Sequence, residues 1–342
     1  MLPDGIGLIS GGLDSLLAMR LMMEQDLNLL GIVIDTGFSS MFEEEGKSNA
    51  YADRPSITDV AREIGFPLEI IPLHEEYWEM IKNPRYGYGK HINPCLDCRI
   101  LMLKTAARVM YEKNAAFVFT GEVIGQRPKS QLSHQLKISE RDSGLEGRLL
   151  RPLSAKCLPP TIPEQEGLVK RELLEGIKGR SRKRQLELAD RWGLADLSVA
   201  GGANCFLIDA GYSARMKDLF HYKGKDHITG TDRALLRVGR HFRLSKSLKF
   251  IVSRNEDEHK RLLDMASGLP MLECVDVIGA VGVLSGPFTD AEVLRAGELL
   301  GRYSKGRERD SVQVTLTQNG KILKSFHVSP ERDRQVLDSL LI

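Results

Sequence analysis

The chain has 342 residues, of which 42% are hydrophobic and 27% are charged, and its formal net charge is +2. This composition describes a soluble globular protein, and the length predicts two domains. No apolar run approaches a membrane span and no charged leader precedes the first apolar segment, so we expect a cytoplasmic protein without membrane contact. Five cysteines, an odd number, argue against a disulfide framework there and toward metal binding, catalysis or burial.

The first part of the chain, residues 5–125, alternates short apolar strands with amphipathic helices. This alternation predicts a doubly wound parallel sheet of the α/β class. Ligands bind such sheets beyond the carboxyl ends of the strands, where Ser10, Asp35 and residues 120–126 are predicted to lie. We therefore expect one crevice to collect them. Residues 127–170 hold five prolines, which predicts an irregular segment crossing between lobes.

The second half predicts a smaller α+β domain. Strands are expected over FLIDAG, ALLRVGRHFRL, LKFIVSR, VDVIGAVGVL and SVQVTLTQNGKILKSFHV, with QNG as a hairpin turn. Helices are expected near 255–267 and 289–302. We assign residues 1–165 to the first domain, 166–198 to a basic linker or helical segment, and 199–342 to the second domain.

A glycine-rich turn joins the first predicted strand to the first helix, with the sequence Ser10-Gly11-Gly12-Leu13-Asp14-Ser15. Its glycines permit positive φ and a close backbone approach, and the N–H groups of the first helical turn face an anion. The two serines add hydroxyl donors, and Asp14 could orient a Mg²⁺ ion. Since the GxxxxGK[ST] pattern is absent, the turn predicts phosphate binding of a kind other than the Walker type.

Two cysteines, Cys95 and Cys98, form a CxxC motif just before a helix predicted to begin near Arg99. The helix dipole, Arg99 and Lys104 are expected to favour thiolates there. Asp97 between the cysteines is expected to cap the helix rather than to move protons.

Cys205 follows a glycine pair and is the expected third partner of the CxxC motif, whereas Cys274 is expected to be structural. No second CxxC or paired histidines complete a zinc site. Two alternatives stay open: a [4Fe–4S] cluster on Cys95, Cys98 and Cys205 with one open iron, or persulfide and disulfide chemistry on Cys98 and Cys205. Cys157, beside two prolines, is left without a role.

Two basic stretches suit an RNA partner. The run Lys178-Gly179-Arg180-Ser181-Arg182-Lys183-Arg184 could follow a phosphate backbone. In residues 235–258, cations alternate with apolar positions beside His241 and Phe242, which predicts a surface for phosphates and stacked bases. The candidate RNA contacts are Arg180, Arg182, Lys183, Arg184, Arg240 and Arg243.

The motif SGGLDS resembles the PP-loop of the ATP pyrophosphatases, which release pyrophosphate from ATP. Together with NPCLDC and TGEVIGQRPKSQ, it makes the first half similar to the tRNA thiouridine synthetases of the ThiI-like and MnmA-like group. The stretch LLRVGRHFRLSKSLKFIVSRNEDE resembles an NFACT-R-like RNA-binding domain. The resemblance implies ATP, Mg²⁺ and a [4Fe–4S] cluster as cofactors, with Asp14, Cys98 and Cys205 as catalytic residues. It implies ATP binding by Ser10, Gly11, Gly12, Leu13, Asp14, Ser15, Asp35, Gly121 and Gln126.

The activity that this resemblance implies is tRNA thiolation. A uridine carbonyl oxygen would be adenylated and then replaced by sulfur to give 4-thiouridine or 2-thiouridine. The sulfur would come from sulfide or from a persulfide carrier, because the chain lacks a rhodanese domain. Three alternatives stay open: thiolation by persulfides without a cluster, an amide-forming synthetase, and a non-catalytic ATP- and RNA-binding protein. The sequence also leaves open whether the chain forms a homodimer.

Overall fold

A computed structural model of the chain describes residues 2–39, 55–127, 130–194, 196–197 and 205–342. It divides into two compact units, Met1–Ile208 and Asp209–Ile342. The boundary expected between residues 198 and 199 lies outside the described residues, so those domain limits stay a prediction. Within the described ranges, no helix has both the length and the apolar character needed to cross a membrane.

The first unit is built on a five-stranded sheet in the order β3-β2-β1-β4-β5, in which every paired strand is parallel. The strands are β1 Gly5–Leu8, β2 Leu29–Asp35, β3 Leu68–Pro72, β4 Phe117–Thr120 and β5 Leu149–Leu150. Its helices are α1 Leu13–Met23, α2 Ile57–Ile64, α3 His74–Lys82, α4 Cys95–Glu112, α5 Ser133–Ser143, α6 Ile162–Gln165 and α7 Lys183–Trp192. The predicted doubly wound α/β fold is thereby confirmed.

Apolar cores lie on both faces of this sheet. Side chains alternate along the strands, so Ile6 packs with Leu103 of α4 on one face while Phe117 packs with Met19 of α1 on the other. Strand β1 needs glycine on the α1 face, because a Cβ on Gly5 would lie 2.5 Å from the ring of Phe117. Both faces are therefore closed, and the carboxyl edge is where the strands present polar groups.

One segment differs from the expectation of irregular structure, and the segment after it packs as a helix into the first unit. Residues 127–170 contain α5 and β5, and β5 extends the parallel sheet beside β4. The prolines that suggested irregularity stand outside both elements, so they do not interrupt them. Helix α7, within the expected linker, buries Leu188 and Ala189 in the core around α1. This stretch is thus part of the first unit.

The second unit contains a six-stranded antiparallel sheet in the order β11-β10-β8-β9-β7-β6. The strands are β6 Arg240–Arg243, β7 Lys249–Val252, β8 Met271–Cys274, β9 Val281–Ser285, β10 Val312–Gln318 and β11 Lys321–Val328. Its helices are α8 Ala210–Lys223, α9 Gly230–Leu235, α10 Glu256–Met265, α11 Asp290–Arg302 and α12 Arg334–Leu340. The expected α+β class is confirmed.

Local sequence signals explain why one predicted element, the hairpin turn, is correct and another, the strand over FLIDAG, is wrong. Asn319 and Gly320 have φ of +52° and +73°, the conformation that a two-residue hairpin turn of the I′ type requires, so the predicted turn is correct. The strand predicted over FLIDAG is wrong, because residues 206–208 form a 3₁₀ turn. Helix α8 follows at once, since the side chain of Asp209 accepts the N–H of Tyr212 as an N-cap.

Candidate functional site

The loop between β1 and α1 holds itself in shape through its own serines. Gly11 adopts a φ of +70°, and Gly12 caps α1 in an extended conformation. The Oγ of Ser15 accepts the backbone N–H of Ser10 at 3.2 Å and donates to the carbonyl of Gly12 at 2.7 Å. The N–H groups of Leu13 and Asp14, at the start of α1, have no carbonyl partner within the helix, so the loop has the geometry expected of an anion-binding site.

The loop after β4 packs directly on this anion site. A Cβ at Gly121 would lie 2.5 Å from the backbone nitrogen of Ser15 and closer still to the carbonyl oxygen of Asp14. Glycine is therefore required at position 121 for the two loops to meet. This contact brings together the two motifs that were expected to share one crevice.

Asp14 is held by a chain of amide side chains. Gln126 donates from Nε2 to the Oδ2 of Asp14 at 2.8 Å, and Gln185 of α7 donates to the Oε1 of Gln126 at 2.9 Å. The Oδ1 of Asp14 is buried and has no hydrogen-bond partner among the described residues, while the nearest guanidinium nitrogen of Arg182 lies 3.7 Å away. One carboxylate oxygen thus stays available to a ligand beside a cation.

The basic run 178–184 lies against the loop after β4. The N–H of Gly179 donates to the carbonyl of Ile124 at 2.8 Å, which places Arg182 near Asp14. Arg184 forms ion pairs with two glutamates, Glu175 and Glu187. All five cations of the run are exposed, and contact of Arg180, Arg182, Lys183 and Arg184 with RNA stays a prediction.

Asp35, at the carboxyl end of β2, lies at the same edge of the sheet. Its Oδ1 accepts the N–H of Gly37 at 2.9 Å, and its Oδ2 is 2.9 Å from the Nε2 of His74. Sequence reasoning missed three residues of this site, because none of them belongs to a motif. They are His74, Gln185 and Arg151, the last of which pairs with Glu122.

All three candidate cysteines belong to the first unit. Helix α4 begins at Cys95, so both CxxC sulfurs sit in its first turn rather than before it. Cys205 forms a backbone bridge with Ser39, and the next N–H along donates to the carbonyl of Phe38 at 3.0 Å. This strand-like contact fixes Cys205 just beyond the end of β2, at the same edge as α4.

The thiolates expected from the sequence are not what the structure favours. Burial, with repulsion from the other two cysteines, raises the pKa of Cys98 to about 12, although a hydrogen bond from Tyr77 and the charge of Arg99 act against this rise. Burial likewise raises the pKa of Cys205 to about 11. The prediction that the helix dipole, Arg99 and Lys104 would favour a thiolate is therefore wrong at Cys98, because desolvation outweighs them there.

Asp97 has a structural role other than the one expected. Pro94 occupies the N-cap position of α4. The two carboxylate oxygens of Asp97 accept the backbone N–H groups of Arg85 and Tyr86 at 2.8 and 3.0 Å. The carboxylate thus ties the preceding loop to α4 and does not cap the helix.

A buried carboxylate joins α4, the helix that carries Cys95 and Cys98, to the loop after β4, which packs on the glycine-rich loop. Glu122 is 4% exposed, and its Oε1 and Oε2 lie 2.8 Å from Nε of Arg99 and 3.1 Å from Nε of Arg151. Burial opposes its charge, but the two guanidinium groups more than offset this and hold the pKa of Glu122 below its usual value. Arg99 follows Cys98 and Glu122 follows Gly121, so this ion pair joins the two halves of the site.

Cys95, Cys98 and Cys205 offer sulfur ligands to a metal ion or an iron–sulfur cluster. Among the described residues, no set of three or more His, Cys, Asp or Glu side chains is arranged to hold a metal ion. A [4Fe–4S] cluster makes a different demand, since each cysteine binds a separate iron and the sulfurs need not converge on one point. Three sulfurs that interact electrostatically in one partly buried place match that donor set in kind. The cluster stays a proposal.

In the second unit the two predicted arginines have aromatic neighbours. Arg240 lies 4.7 Å from the ring centre of Tyr303, and Arg243 lies 4.4 Å from that of Tyr222 while pairing with Asp218. Their contact with RNA stays a prediction.

The two residues between these arginines do not offer bases a stacking surface, as the sequence had suggested. His241 and Phe242 are 1% and 0% exposed. Helices cover both faces of the sheet, so neighbouring strand residues are buried on opposite sides.

Two protein families match the chain. Residues 6–143 match the tRNA methyl transferase HUP domain, and residues 239–340 match the NFACT protein RNA binding domain. The first match contains the glycine-rich loop, the CxxC motif and the loop after β4. The second covers every strand of the antiparallel sheet.

The curated relatives described next match about a third of the chain. A tRNA-specific 2-thiouridylase MnmA 1 of Bacteroides thetaiotaomicron is 31% identical over 33% of this chain and 32% of its own length. A tRNA-specific 2-thiouridylase MnmA of Exiguobacterium sibiricum is 28% identical over 33% of this chain and 31% of its own. The chain thus spans about a third of the length of these relatives.

Among solved structures, a 4-thiouridine synthetase–RNA complex with bound ATP overlaps 61% of this chain and 45% of its own, with 18% identity and a TM-score of 0.40. The chain thus has a region similar to the tRNA methyl transferase HUP domain, residues 6–143, followed by one similar to the NFACT protein RNA binding domain, residues 239–340, and part of it resembles the tRNA-specific 2-thiouridylases.

Proposed function

We propose that this protein thiolates a uridine of tRNA in an ATP-dependent reaction. The observation that carries the proposal is the joined site of the first unit. There, the glycine-rich loop contacts Gly121, and the adjacent Glu122 pairs with Arg99 beside Cys98. An ATP site and a sulfur site that share one buried ion pair suit a reaction that uses both in turn.

The first step is adenylation of the base. A uracil carbonyl oxygen is a poor leaving group, and it attacks the α-phosphorus of ATP as the bond to pyrophosphate breaks. The loop of Gly11 and Gly12 binds the phosphates through its N–H groups, and Asp14 would hold Mg²⁺ through its Oδ1, where the ion would stabilise charge on the pyrophosphate. Arg182 stabilises charge that develops on the phosphates, because its guanidinium lies beside Asp14 and is half-exposed.

The second step replaces oxygen by sulfur. Sulfur attacks the ring carbon, the bond from that carbon to the adenylated oxygen breaks, and AMP leaves with the oxygen. Cys95, Cys98 and Cys205 are proposed to hold a [4Fe–4S] cluster, which when bound offers an open iron for hydrosulfide. The raised pKa values of Cys98 and Cys205 favour this over free thiolates, because iron stabilises the anionic sulfur that burial opposes.

The second unit is proposed to bind the tRNA. Its match to an RNA-binding domain supports this, as do Arg240 and Arg243 on the edge strand β6. Phosphate contacts of this kind make affinity fall with salt, so binding should weaken steeply between low and moderate ionic strength.

The experiment is an anaerobic assay of the full chain with ATP and unmodified tRNA. Iron and sulfide content, pyrophosphate release and the nucleosides of the digested tRNA are measured, the last by mass spectrometry to distinguish substitution at C2 from C4. Alanine variants of Cys95, Cys98 and Cys205 should each lose thiouridine. Cys157→Ala and Cys274→Ala are matched controls, since one cysteine is exposed and the other lies in the second unit.

Each alternative gives a different result in this assay. If the protein forms thiouridine but takes up no iron, the reaction uses persulfide chemistry and not a cluster. Pyrophosphate release that requires ammonia rather than RNA would indicate an amide-forming synthetase. Binding of ATP and RNA without pyrophosphate release would indicate a non-catalytic protein, and would overturn the proposal.

A further inference from the structure

We propose that Tyr77 is a positioning residue for the sulfur chemistry, whose hydroxyl stabilises negative charge on the Sγ of Cys98 by donating a hydrogen bond. This inference rests on the proposed function in one respect: Cys98 must carry the reacting sulfur or bind the cluster. No sequence motif contains Tyr77, and it lies on α3, outside all three motifs that carry the family resemblance.

The hydroxyl of Tyr77 is committed to the sulfur. Its oxygen lies 3.2 Å from the Sγ of Cys98, and the residue is only 2% exposed. A buried phenol without an acceptor is costly, so the sulfur satisfies the hydroxyl as much as the hydroxyl serves the sulfur.

The ring of Tyr77 is held by aromatic neighbours that also reach Cys205. Phe38 lies 5.4 Å from the ring of Tyr77 and stacks with Trp78 at 6.2 Å, with an interplanar angle of 2°. The carbonyl of Phe38 accepts the N–H that follows Cys205. One aromatic cluster thus fixes the donor on Cys98 and the backbone beside Cys205.

The first cysteine has a donor of its own. The Nδ2 of Asn93 donates to the Sγ of Cys95 at 3.0 Å. Each sulfur of the CxxC motif therefore receives one side-chain hydrogen bond, from residues on different elements. Hydrogen bonds to sulfur favour the more reduced, more negative state of a cluster or a thiol over its oxidised state. Removing the Tyr77 donor should accordingly lower the reduction potential.

The test compares Tyr77→Phe with Tyr88→Phe, which keeps every sulfur contact. The hydroxyl of Tyr88 donates to the carbonyl of Ile81 at the end of the same helix, so this control also loses one hydroxyl hydrogen bond near α3. After anaerobic reconstitution of the full chain, a mediated titration followed in visible light gives the midpoint potential of the cluster. We expect a negative shift in Tyr77→Phe and no shift in Tyr88→Phe.

A second measurement uses the protein without iron. The chain is equilibrated with reduced and oxidised glutathione, and mass spectrometry gives the fraction of Cys98 present as a disulfide with any partner. The reaction consumes the Cys98 thiol and oxidised glutathione and returns reduced glutathione. In this protein Cys98 is a neutral thiol, and the buried hydroxyl of Tyr77 loses its acceptor when Cys98 becomes a disulfide, so Tyr77→Phe should raise the ratio of disulfide to thiol at Cys98 several-fold.

These two measurements distinguish failure of the inference from failure of the proposed function. Unchanged potentials in Tyr77→Phe, or equal shifts in Tyr88→Phe, would overturn the role of Tyr77. A wild type that neither takes up iron nor forms thiouridine would overturn the proposed function, and the glutathione equilibrium would still decide whether Tyr77 stabilises the reduced sulfur of Cys98.

Discussion

Glu122→Gln removes the carboxylate that joins α4 to the loop after β4, which in turn packs on the glycine-rich loop. The change keeps the size of the side chain and an oxygen that can still accept the hydroxyl of Thr120, which lies 3.2 Å away. It removes the negative charge shared by Arg99, whose side chain is 18% exposed, and Arg151, at 3%, and Arg151 keeps an ion pair with Glu140 at 2.9 Å. Breaking a buried ion pair from one side typically costs about 3–5 kcal/mol, and we expect a loss in that range for the first unit.

The same change should alter the pH dependence of stability. The folded pKa of Glu122 lies below its ordinary value of 4.5, so the folded state binds fewer protons than the unfolded state in acid. Its stabilisation is fully present above about pH 4.5 and is lost as pH falls through the folded pKa. Glu122→Gln should therefore lose stability at pH 7 and be less sensitive to acid below pH 4.5 than the wild type.

Urea unfolding of the full chain, followed by circular dichroism, measures this loss as a lower midpoint for the first unit. Asp59→Asn is the control, since it breaks an ion pair with Arg62 that is exposed to solvent and screened by it, for which we expect a much smaller loss. A loss below about 1 kcal/mol in Glu122→Gln, or an acid response equal to that of the wild type, would refute the view that this carboxylate holds the site together.

Three further changes have expected outcomes. Lys249→Met should stabilise the second unit by up to about 3 kcal/mol at pH 7, because burial lowers the pKa of Lys249 from 10.5 to about 8 and its Nζ has no partner among the described residues; a lower melting temperature would contradict this. Gly121→Ala should abolish ATP binding in calorimetry by pushing the two loops apart, whereas Gly230→Ala, with open space at its Cβ, should leave binding unchanged. Arg182→Gln should slow pyrophosphate release about 10²-fold or more while tRNA binding holds, and weaker tRNA binding with normal release would instead assign this arginine to RNA.

The fold of the first unit could be predicted from local signals. Apolar strands and amphipathic helices alternate in its first 125 residues, and right-handed crossovers then leave few topologies. The prediction from composition failed for residues 127–170, because the proline content was averaged over the whole segment. The prolines of residues 127–170 hid α5 and β5, although those elements contain none of them. The position of α7 in the core depended on packing against α1, which no local pattern indicates.

The site could be predicted in its motifs but not in its partners. The positions of Gly121 and Gln126 followed from the rule that ligands bind at the carboxyl edge of the strands. The pairing of Glu122 with Arg151, 29 residues later, depends on where β5 joins the sheet, and β5 was not expected. Gln185 likewise reaches Gln126 only because α7 packs into the first unit.

The cysteines show why such partners decide the chemistry. In this sequence Cys98 and Arg99 are adjacent near the start of a helix, and this pattern alone favours a thiolate. The fold then pairs Arg99 with Glu122 and buries Cys98, so the positive charge is neutralised while desolvation remains. Without a bound group, Cys98 is a thiol at neutral pH, because its pKa is about 12. A bound cation would stabilise negative sulfur at Cys98 against this burial, which is the physical argument behind the proposed cluster.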